Sequence, residues 1–243
     1  GVLARRATAF APSPVVLTVV GRALAPAEAE PVDDPVGVPP PTAEEFILLM
    51  QDVGIDVVVE HGEVSGEVLG LEIARVVVDE AGGTALRVGV GRNDRDAFTM
   101  LHGDLPPRDA LAMVIDAVRR HRRADRPDHP LHRLAPERWL RARLVAEPGL
   151  VGCADLAPVV PVLRRDSVKD VVAAGAVGHD LDGRRVVVAA SVGIDLDLVP
   201  TAAELRMVHA PGARLLLAVP ERDAHSVTRA VAERLAEPAE VVT

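Results

Sequence analysis

The order of apolar and polar positions along the chain predicts helices and short strands. The clearest helix is predicted for residues 108–123, where apolar side chains recur at three- and four-residue spacing: Ala110, Leu111, Val114, Ile115 and Val118. The apolar run 15–20, bounded by Pro14 and Gly21, predicts a buried strand. The chain therefore carries the patterns of both a helical and a sheet-forming protein.

Turn residues and helix-capping patterns divide the rest of the chain. Residues 23–41 are rich in proline and acid, which predicts a linker or extended loop. The capping-box pattern that starts at Thr42 predicts a helix to about Val53, and a second one at Thr201 predicts a helix to about His209. Strands are predicted at 55–60, 63–78 (one strand, or two strands broken at Gly66 or Gly70), 84–91, 171–177, 184–190, 213–219 and 240–242, with a turn at 79–83. Further helices are predicted at 94–101, 136–147 and 224–236, and a proline-interrupted stretch without regular structure reaches Asp170.

This order predicts an α/β protein of the α+β type with two lobes. Residues 1–41 form an N-terminal strand and a proline-rich linker, residues 42–125 an N-terminal α/β lobe, and residues 126–243 a C-terminal α/β lobe. Each lobe is expected to contain a small mixed sheet flanked by helices.

Composition narrows this picture without assigning a function. Aromatic residues make up 2% of the 243 residues and hydrophobic residues 49%, so the core is expected to be aliphatic. The single cysteine, Cys153, excludes an intrachain disulfide and a cysteine zinc cluster. No apolar run approaches the length of a membrane span, and we expect a cytoplasmic protein without a membrane partner. The net charge of −9 means that most of the surface is expected to repel nucleic acid and anionic lipid.

Residues 136–220 contain a helix, a hairpin with a tight turn, a helix and a strand, and another helix follows. The first helix carries Glu137-Arg138-Trp139-Leu140, the hairpin turns at Asp180-Leu181-Asp182-Gly183, and its second strand ends in Ala189-Ala190-Ser191. This arrangement resembles the PD-(D/E)XK superfamily, the restriction-endonuclease-like proteins. The resemblance implies a nuclease-like fold for the C-terminal lobe.

The chemistry of that family is missing from the matching positions. In the family, an Asp and a Glu bind the metal, and a Lys polarises the attacking water. Ala174 or Gly175 stands at the Asp position, and Ala189 and Ser191 stand where Glu and Lys are expected. The resemblance therefore implies a copy that has lost nuclease activity.

Four aspartates support an alternative hypothesis in which the protein is an enzyme. Asp195 and Asp197 would point to one side of an extended segment, about 7 Å apart. Together with Asp180 and Asp182 they could form a Mg²⁺ or Mn²⁺ site of a metal-dependent hydrolase or nuclease. The competing interpretation is that Asp180 and Asp182 stabilise a turn and that Asp195 and Asp197 lie in a solvated loop.

Basic charge is concentrated between the predicted lobes, where nine arginines lie between Arg119 and Arg143. The proposed contact residues are Arg119, Arg120, Arg122, Arg123, Arg138 and Arg141. Arginine forks match phosphate oxygens, whereas the scarcity of aromatic residues argues against base stacking. The alternative is a solvated helix face paired with nearby acids.

Three functions follow from the sequence. The first is a non-catalytic binding or scaffold protein without a cofactor, which contacts a protein or a nucleic-acid backbone through the arginine segment. The second is the metal-dependent hydrolase, and the third is a structural homodimer that pairs through strand 55–60 or strand 240–242.

Overall fold

A computed structural model describes residues 1–32, 34–78, 82–125, 129–164, 167 and 170–243, apart from the side chain of Arg92. The chain divides into two compact units. Unit 1 contains residues 1–33, 140–163 and 171–243, and unit 2 contains residues 34–139 and 164–170. The predicted lobes differ from these units, because the first 33 residues group with the C-terminal part of the chain and the boundary follows residue 139.

The described residues form helices and three sheets, which is the predicted α+β class. The helices are α1 (Val2–Ala7), α2 (Glu44–Asp52), α3 (Gly91–His102), α4 (Pro107–His121), α5 (Pro136–Ala146), α6 (Leu198–His209) and α7 (Ser226–Ala232). The strands are β1 (Leu17–Val20), β2 (Ala23–Pro26), β3 (Asp56–Glu60), β4 (Glu63–Val68), β5 (Leu71–Val78), β6 (Thr84–Val88), β7 (Cys153–Val159), β8 (Ala174–Asp180), β9 (Arg185–Ala190), β10 (Arg214–Ala218) and β11 (Ala239–Val242).

Unit 2 is built on an antiparallel four-stranded sheet in the order β3-β4-β5-β6. The apolar side of the sheet packs against the predicted helix stripe of α4, including Leu111 and Val118, and against Met50 of α2. Gly66 of β4 is required by this packing, because a Cβ atom there would lie 2.6 Å from the Met50 sulfur. The helix periodicity thus identified the side of α4 that faces the sheet.

Unit 1 contains a five-stranded mixed sheet in the order β11-β10-β9-β8-β7. Strands β7, β8 and β9 are antiparallel, whereas β9, β10 and β11 run parallel. Alternate residues of β9 enter two cores on opposite faces: Val187 and Ala189 pack with residues of α6, and Val186 and Val188 pack with Leu144 of α5. Parallel strands covered on both faces explain the continuous apolar sequence of β9 and β10.

Two strand predictions were wrong. The run 15–20 does not form a buried strand, because β1 and β2 form a separate hairpin in which Leu17 and Val19 remain exposed. Part of the predicted linker therefore belongs to β2, and the chain reverses at Gly21, whose φ is +64°. The stretch expected to lack regular structure contains β7, an end strand that tolerates Pro158 because an outer strand has unpaired positions.

The two predicted capping boxes do not form, although both helices exist. Pro41–Ala43 make a 3₁₀ turn, so the cap position moves by one residue, from Thr42 to Ala43, and α2 begins at Glu44. In α6 the helix already begins at Leu198, and Thr201 lies inside it with its hydroxyl accepting a hydrogen bond from Arg6.

The predicted segment 63–78 is broken at Leu69-Gly70 into the antiparallel strands β4 and β5, and the other elements agree with the sequence to within a few residues. Strands β3 and β11 are outer strands of their sheets, which are the two edges predicted for a homodimer. Residues 79–81 of the predicted turn 79–83 lie outside the described residues. None of the described helices has the length and apolar composition needed to cross a membrane.

Candidate functional site

The loops that follow the parallel strands β9 and β10 lie side by side. The strands are paired in register, with Val187 opposite Leu215, and each is followed by a helix. The backbone N–H of Gly193, after β9, donates to the Asp223 carboxylate, after β10, at 2.8 Å. The carboxyl ends of parallel strands are the usual position of ligand sites in open α/β sheets.

A cavity of about 280 Å³ opens at this edge, and we call it the β9–β10 pocket. Its inner wall is apolar and includes Val199, Val219 and Val231. Ile194, Leu196 and Val227 line it as well and are exposed to solvent by 75%, 87% and 66%. Apolar side chains exposed around an apolar cavity favour the binding of another apolar group.

Polar groups in the pocket come from the same two loops. Burial raises the pKa of Asp195, and the neighbouring Asp197 carboxylate adds to that effect. Asp195 accepts a hydrogen bond from the backbone N–H of Asp197 at 2.9 Å, while the Asp197 side chain forms an ion pair with Arg6 at 3.2 Å. A cation brought by a ligand would therefore stabilise the charged form of Asp195.

The four aspartates proposed as a metal site are not brought together. Asp180 and Asp182 lie in the turn before β9, and Asp195 and Asp197 follow its end, so the six residues of β9 separate the two pairs by about 20 Å. The Asp180 carboxylate accepts hydrogen bonds from the backbone N–H groups of Arg184 and Asp182, and the Arg184 bond lowers its pKa. In the described parts of the chain, no three His, Cys, Asp or Glu side chains are placed to hold a metal ion.

The three residues compared with the nuclease motif in the sequence lie at the same edge of the sheet as the pocket. Gly175 of β8 is paired with Ala189 of β9, and Ser191 follows directly after β9. A Cβ atom on Gly175 would lie 2.8 Å from Val159 and 3.1 Å from Leu205, so an aspartate does not fit there without displacing the core. Ala189 and Ser191 are fully buried.

The side-chain hydroxyl of Ser191 lies beside the pocket. Its hydroxyl is buried and has no hydrogen-bond partner among the described residues. Strand alternation places it on the same face as Ala189, beside Val219 of the pocket wall. No interaction visible in the described residues offsets the desolvation of this hydroxyl.

We expect Ser191→Ala to raise the free energy of unfolding of unit 1 by about 1 kcal/mol, because it removes a buried hydroxyl that forms no hydrogen bond. Urea unfolding monitored through the accessibility of the Cys153 thiol measures the effect. A loss of stability of similar size would instead mean that the hydroxyl has a partner.

Half of the predicted contact arginines are buried. Arg122 is fully buried, and Arg138 and Arg141 are 3% and 6% exposed. Arg122 donates to the backbone carbonyls of four residues, namely Leu69, Leu131, Leu134 and Ala135. Arg138 forms ion pairs with Glu60 and Glu67 of the sheet. Arg122 and Arg138 are therefore structural residues of unit 2, and a ligand in solvent does not reach their guanidinium groups.

The other three predicted arginines are exposed. Arg119 donates to the Gly54 carbonyl at 3.3 Å, Arg120 pairs with Asp116 along α4, and Arg123 pairs with Asp125. The predicted phosphate contact is thus left to these three side chains, two of which already have carboxylate partners.

The single cysteine is buried in unit 1. Burial raises the pKa of the Cys153 thiol, and its sulfur lies 3.8 Å from the Val151 carbonyl oxygen. A protonated, inaccessible thiol is not a nucleophile in the folded protein. Its reaction with thiol reagents reports the unfolding of unit 1.

No protein-family model matches the chain, and no match was found among curated proteins or solved structures. The candidate site therefore depends on the chain's own geometry. The two interpretations of Asp195 from the sequence, a metal ligand and a residue of a solvated loop, did not include the pocket around it. The exposed apolar residues in Gly193-Ile194-Asp195-Leu196 were the available indication, since apolar side chains are unusual in a solvated loop.

Proposed function

We propose that this protein is a non-catalytic binding protein, and that the β9–β10 pocket holds an apolar side chain of a protein partner. The observation that carries the proposal is that one edge of the sheet has an apolar pocket and lacks catalytic side chains. Where a nuclease-like lobe would hold its acids and lysine, this chain has Gly175, Ala189 and Ser191, and an open apolar pocket lies at that same edge.

The element order supports a nuclease-like ancestry for unit 1. Helix α5, the β8–β9 hairpin, α6, β10 and α7 occur in the order on which the resemblance rests, with β7 added beside β8. The residue types oppose cleavage, because alanine, glycine and serine side chains do not supply the carboxylate oxygens that Mg²⁺ requires. The close packing around Gly175 leaves no room for an aspartate side chain at that position.

The pocket's size and charge favour a peptide segment as the occupant. Its volume of about 280 Å³ lies near the lower end of the range for small-molecule sites, about 300–1,000 Å³, and suits one or two apolar side chains. The exposed Ile194 and Leu196 extend the apolar surface beyond the cavity. Asp195 at the pocket lacks a cationic partner within ion-pair distance among the described side chains, so a Lys or Arg beside the apolar residue of the partner would complement it.

The binding proposal is tested by selecting peptides from a random display library against the full chain and measuring the selected synthetic peptides by calorimetry. We expect peptides with an apolar residue next to Lys or Arg, and binding weakened at least about tenfold by I194K/L196K, whose side chains are exposed. Asp195→Asn should weaken binding about three- to tenfold, whereas Asp197→Asn, two residues away and paired with Arg6, should change it less than twofold. Selected peptides that bind the wild type and I194K/L196K equally would refute the pocket as the site.

The non-catalytic part of the proposal needs a separate measurement. The full chain is incubated with supercoiled plasmid, single-stranded DNA and RNA in Mg²⁺ or Mn²⁺, beside the D195A/D197A variant prepared in the same way. We expect no cleavage above that of the variant. Cleavage by the wild type that the variant lacks would restore the hydrolase hypothesis.

A further inference from the structure

A second cavity of unit 1 is lined by a buried arginine. It has a volume of about 280 Å³ and lies between the end of α6 and the segment before β11. Arg206, in the last turn of α6, is 7% exposed and lines this cavity. The other lining groups are mostly small, including Ala9, Ala203 and Ala236, so free space remains beside the guanidinium. We call this cavity the Arg206 pocket.

The guanidinium of Arg206 is incompletely satisfied. One Nη2 N–H donates to the Glu237 carbonyl at 2.8 Å. Nη1 faces the Glu237 carboxylate at 3.7 Å, which is too long for a hydrogen bond. A guanidinium carries five N–H donors, and the described residues supply this one acceptor at hydrogen-bond distance. The Nε and Nη1 N–H groups have no acceptor at hydrogen-bond distance among the described residues, so they remain available to an anion that enters the cavity.

The surroundings leave the arginine available to a ligand. Glu204, two residues earlier on α6, is held by Arg5 and Arg6 and is not within ion-pair distance of Arg206. Glu237 is 63% exposed, so its carboxylate can move into solvent without losing a buried contact. Burial lowers the pKa of Arg206, and the Glu237 carboxylate offsets that effect only in part. The geometry therefore combines a fixed fork of donors, an adjoining space and a loosely held competing carboxylate.

We propose that the Arg206 pocket binds an oxyanion, a carboxylate or a phosphate group, which takes two N–H donors of Arg206 while the Glu237 side chain turns to solvent. Planar guanidinium groups bind such oxygens in pairs, which adds direction to the charge attraction. The site is separate from the β9–β10 pocket, and its occupation does not depend on the function proposed for that pocket.

The test is calorimetric titration of the full chain with sodium phosphate and, separately, with sodium acetate, each at an ionic strength held constant with sodium chloride. We expect saturable binding of at least one of the two anions, and the comparison of the two shows which group the pocket prefers. Glu237→Gln should tighten binding about three- to tenfold, because it removes the competing charge and keeps the residue's size. Glu240→Gln removes another exposed carboxylate of unit 1, one that pairs with Arg214 outside the pocket, and should leave the affinity within twofold.

Arg206→Gln should abolish the binding. If that variant does not fold, the comparison of Glu237→Gln with Glu240→Gln still decides, because both change exposed side chains. The absence of a saturable heat for both anions in Glu237→Gln would overturn the proposal. Equal binding by a folded Arg206→Gln variant would overturn it as well.

Discussion

Replacing Arg122 by glutamine should lower the free energy of unfolding of unit 2 by at least about 3 kcal/mol. The Arg122 guanidinium is fully buried and bonds the carbonyls of Leu69, Leu134 and Ala135 at 2.7 to 3.0 Å, together with that of Leu131. Glutamine cannot reach these acceptors at once, and each buried carbonyl left without a donor costs about 1–3 kcal/mol. Burial lowers the pKa of Arg122 to about 10, so the side chain is still protonated at neutral pH, and all three of its nitrogen atoms donate hydrogen bonds.

The single tryptophan provides the measurement. Trp139 belongs to unit 2, and the Arg122 guanidinium lies 5.5 Å from the centre of its ring, so urea unfolding followed by tryptophan fluorescence reports this unit. Arg120→Gln is the matched control, because it removes an exposed arginine of the same helix and an ion pair with Asp116 worth about 0.3–0.5 kcal/mol. Arg122→Lys should fall between the two, since it keeps the charge and loses the fork. Equal stabilities of Arg122→Gln and Arg120→Gln would contradict the structural role of Arg122 and favour its predicted role as a contact residue.

The arginine segment shows what charge patterning can and cannot predict. Nine arginines between 119 and 143 predict a basic surface only if their side chains reach solvent. The side chains of Arg122 and Arg138 do not reach solvent. Some of their hydrogen-bond acceptors lie 53 to 78 residues earlier in the chain. The other acceptors are backbone carbonyls at 131–135, which no sequence pattern identifies. Periodicity identified α4 correctly, including its buried residues Leu111 and Val118.

The strands were predicted where their neighbours are local. Strands β3 to β6 follow one another in an antiparallel order, so alternating patterns and turn residues were sufficient. Strand β7 was missed, since its pairing with β8 spans a long connection and Pro158 opposes a strand in the interior of a sheet. The β9–β10 pocket required the parallel pairing of β9 with β10 and the bond between Gly193 and Asp223, and neither has a local signature. The residues named by the resemblance lie at the same edge of the sheet as the pocket, but the resemblance itself carries no indication of the apolar side chains there.

Glu204→Ala should be the most damaging single change in unit 1, with a loss of about 3–5 kcal/mol of unfolding free energy. The Glu204 carboxylate is fully buried on α6 and binds two arginines of the N-terminal helix α1. Arg5 reaches one oxygen at 2.8 Å and Arg6 the other at 3.1 Å, and Arg6 also donates to the Thr201 hydroxyl. Alanine would leave the nearly buried Arg6 without its main counter-ion, and breaking a buried pair in this way costs more than the pair contributes.

The same variant shows what holds the N-terminal segment on unit 1. Without Glu204 we expect the amides of α1 to lose most of their protection from hydrogen exchange, while the urea transition detected by Cys153 labelling moves to lower concentration. Asp197→Asn is the control, because Asp197 binds the same Arg6 from a position that is 71% exposed, and it should cost less than about 1 kcal/mol. A Glu204→Ala protein as stable as Asp197→Asn would mean that α1 is held by its apolar contacts alone. In the sequence, Glu204 has the pattern of a residue in a helix cap. In the expected case it instead forms an ion pair with a residue about 200 positions earlier, and this pair joins the first and last parts of the chain into one unit.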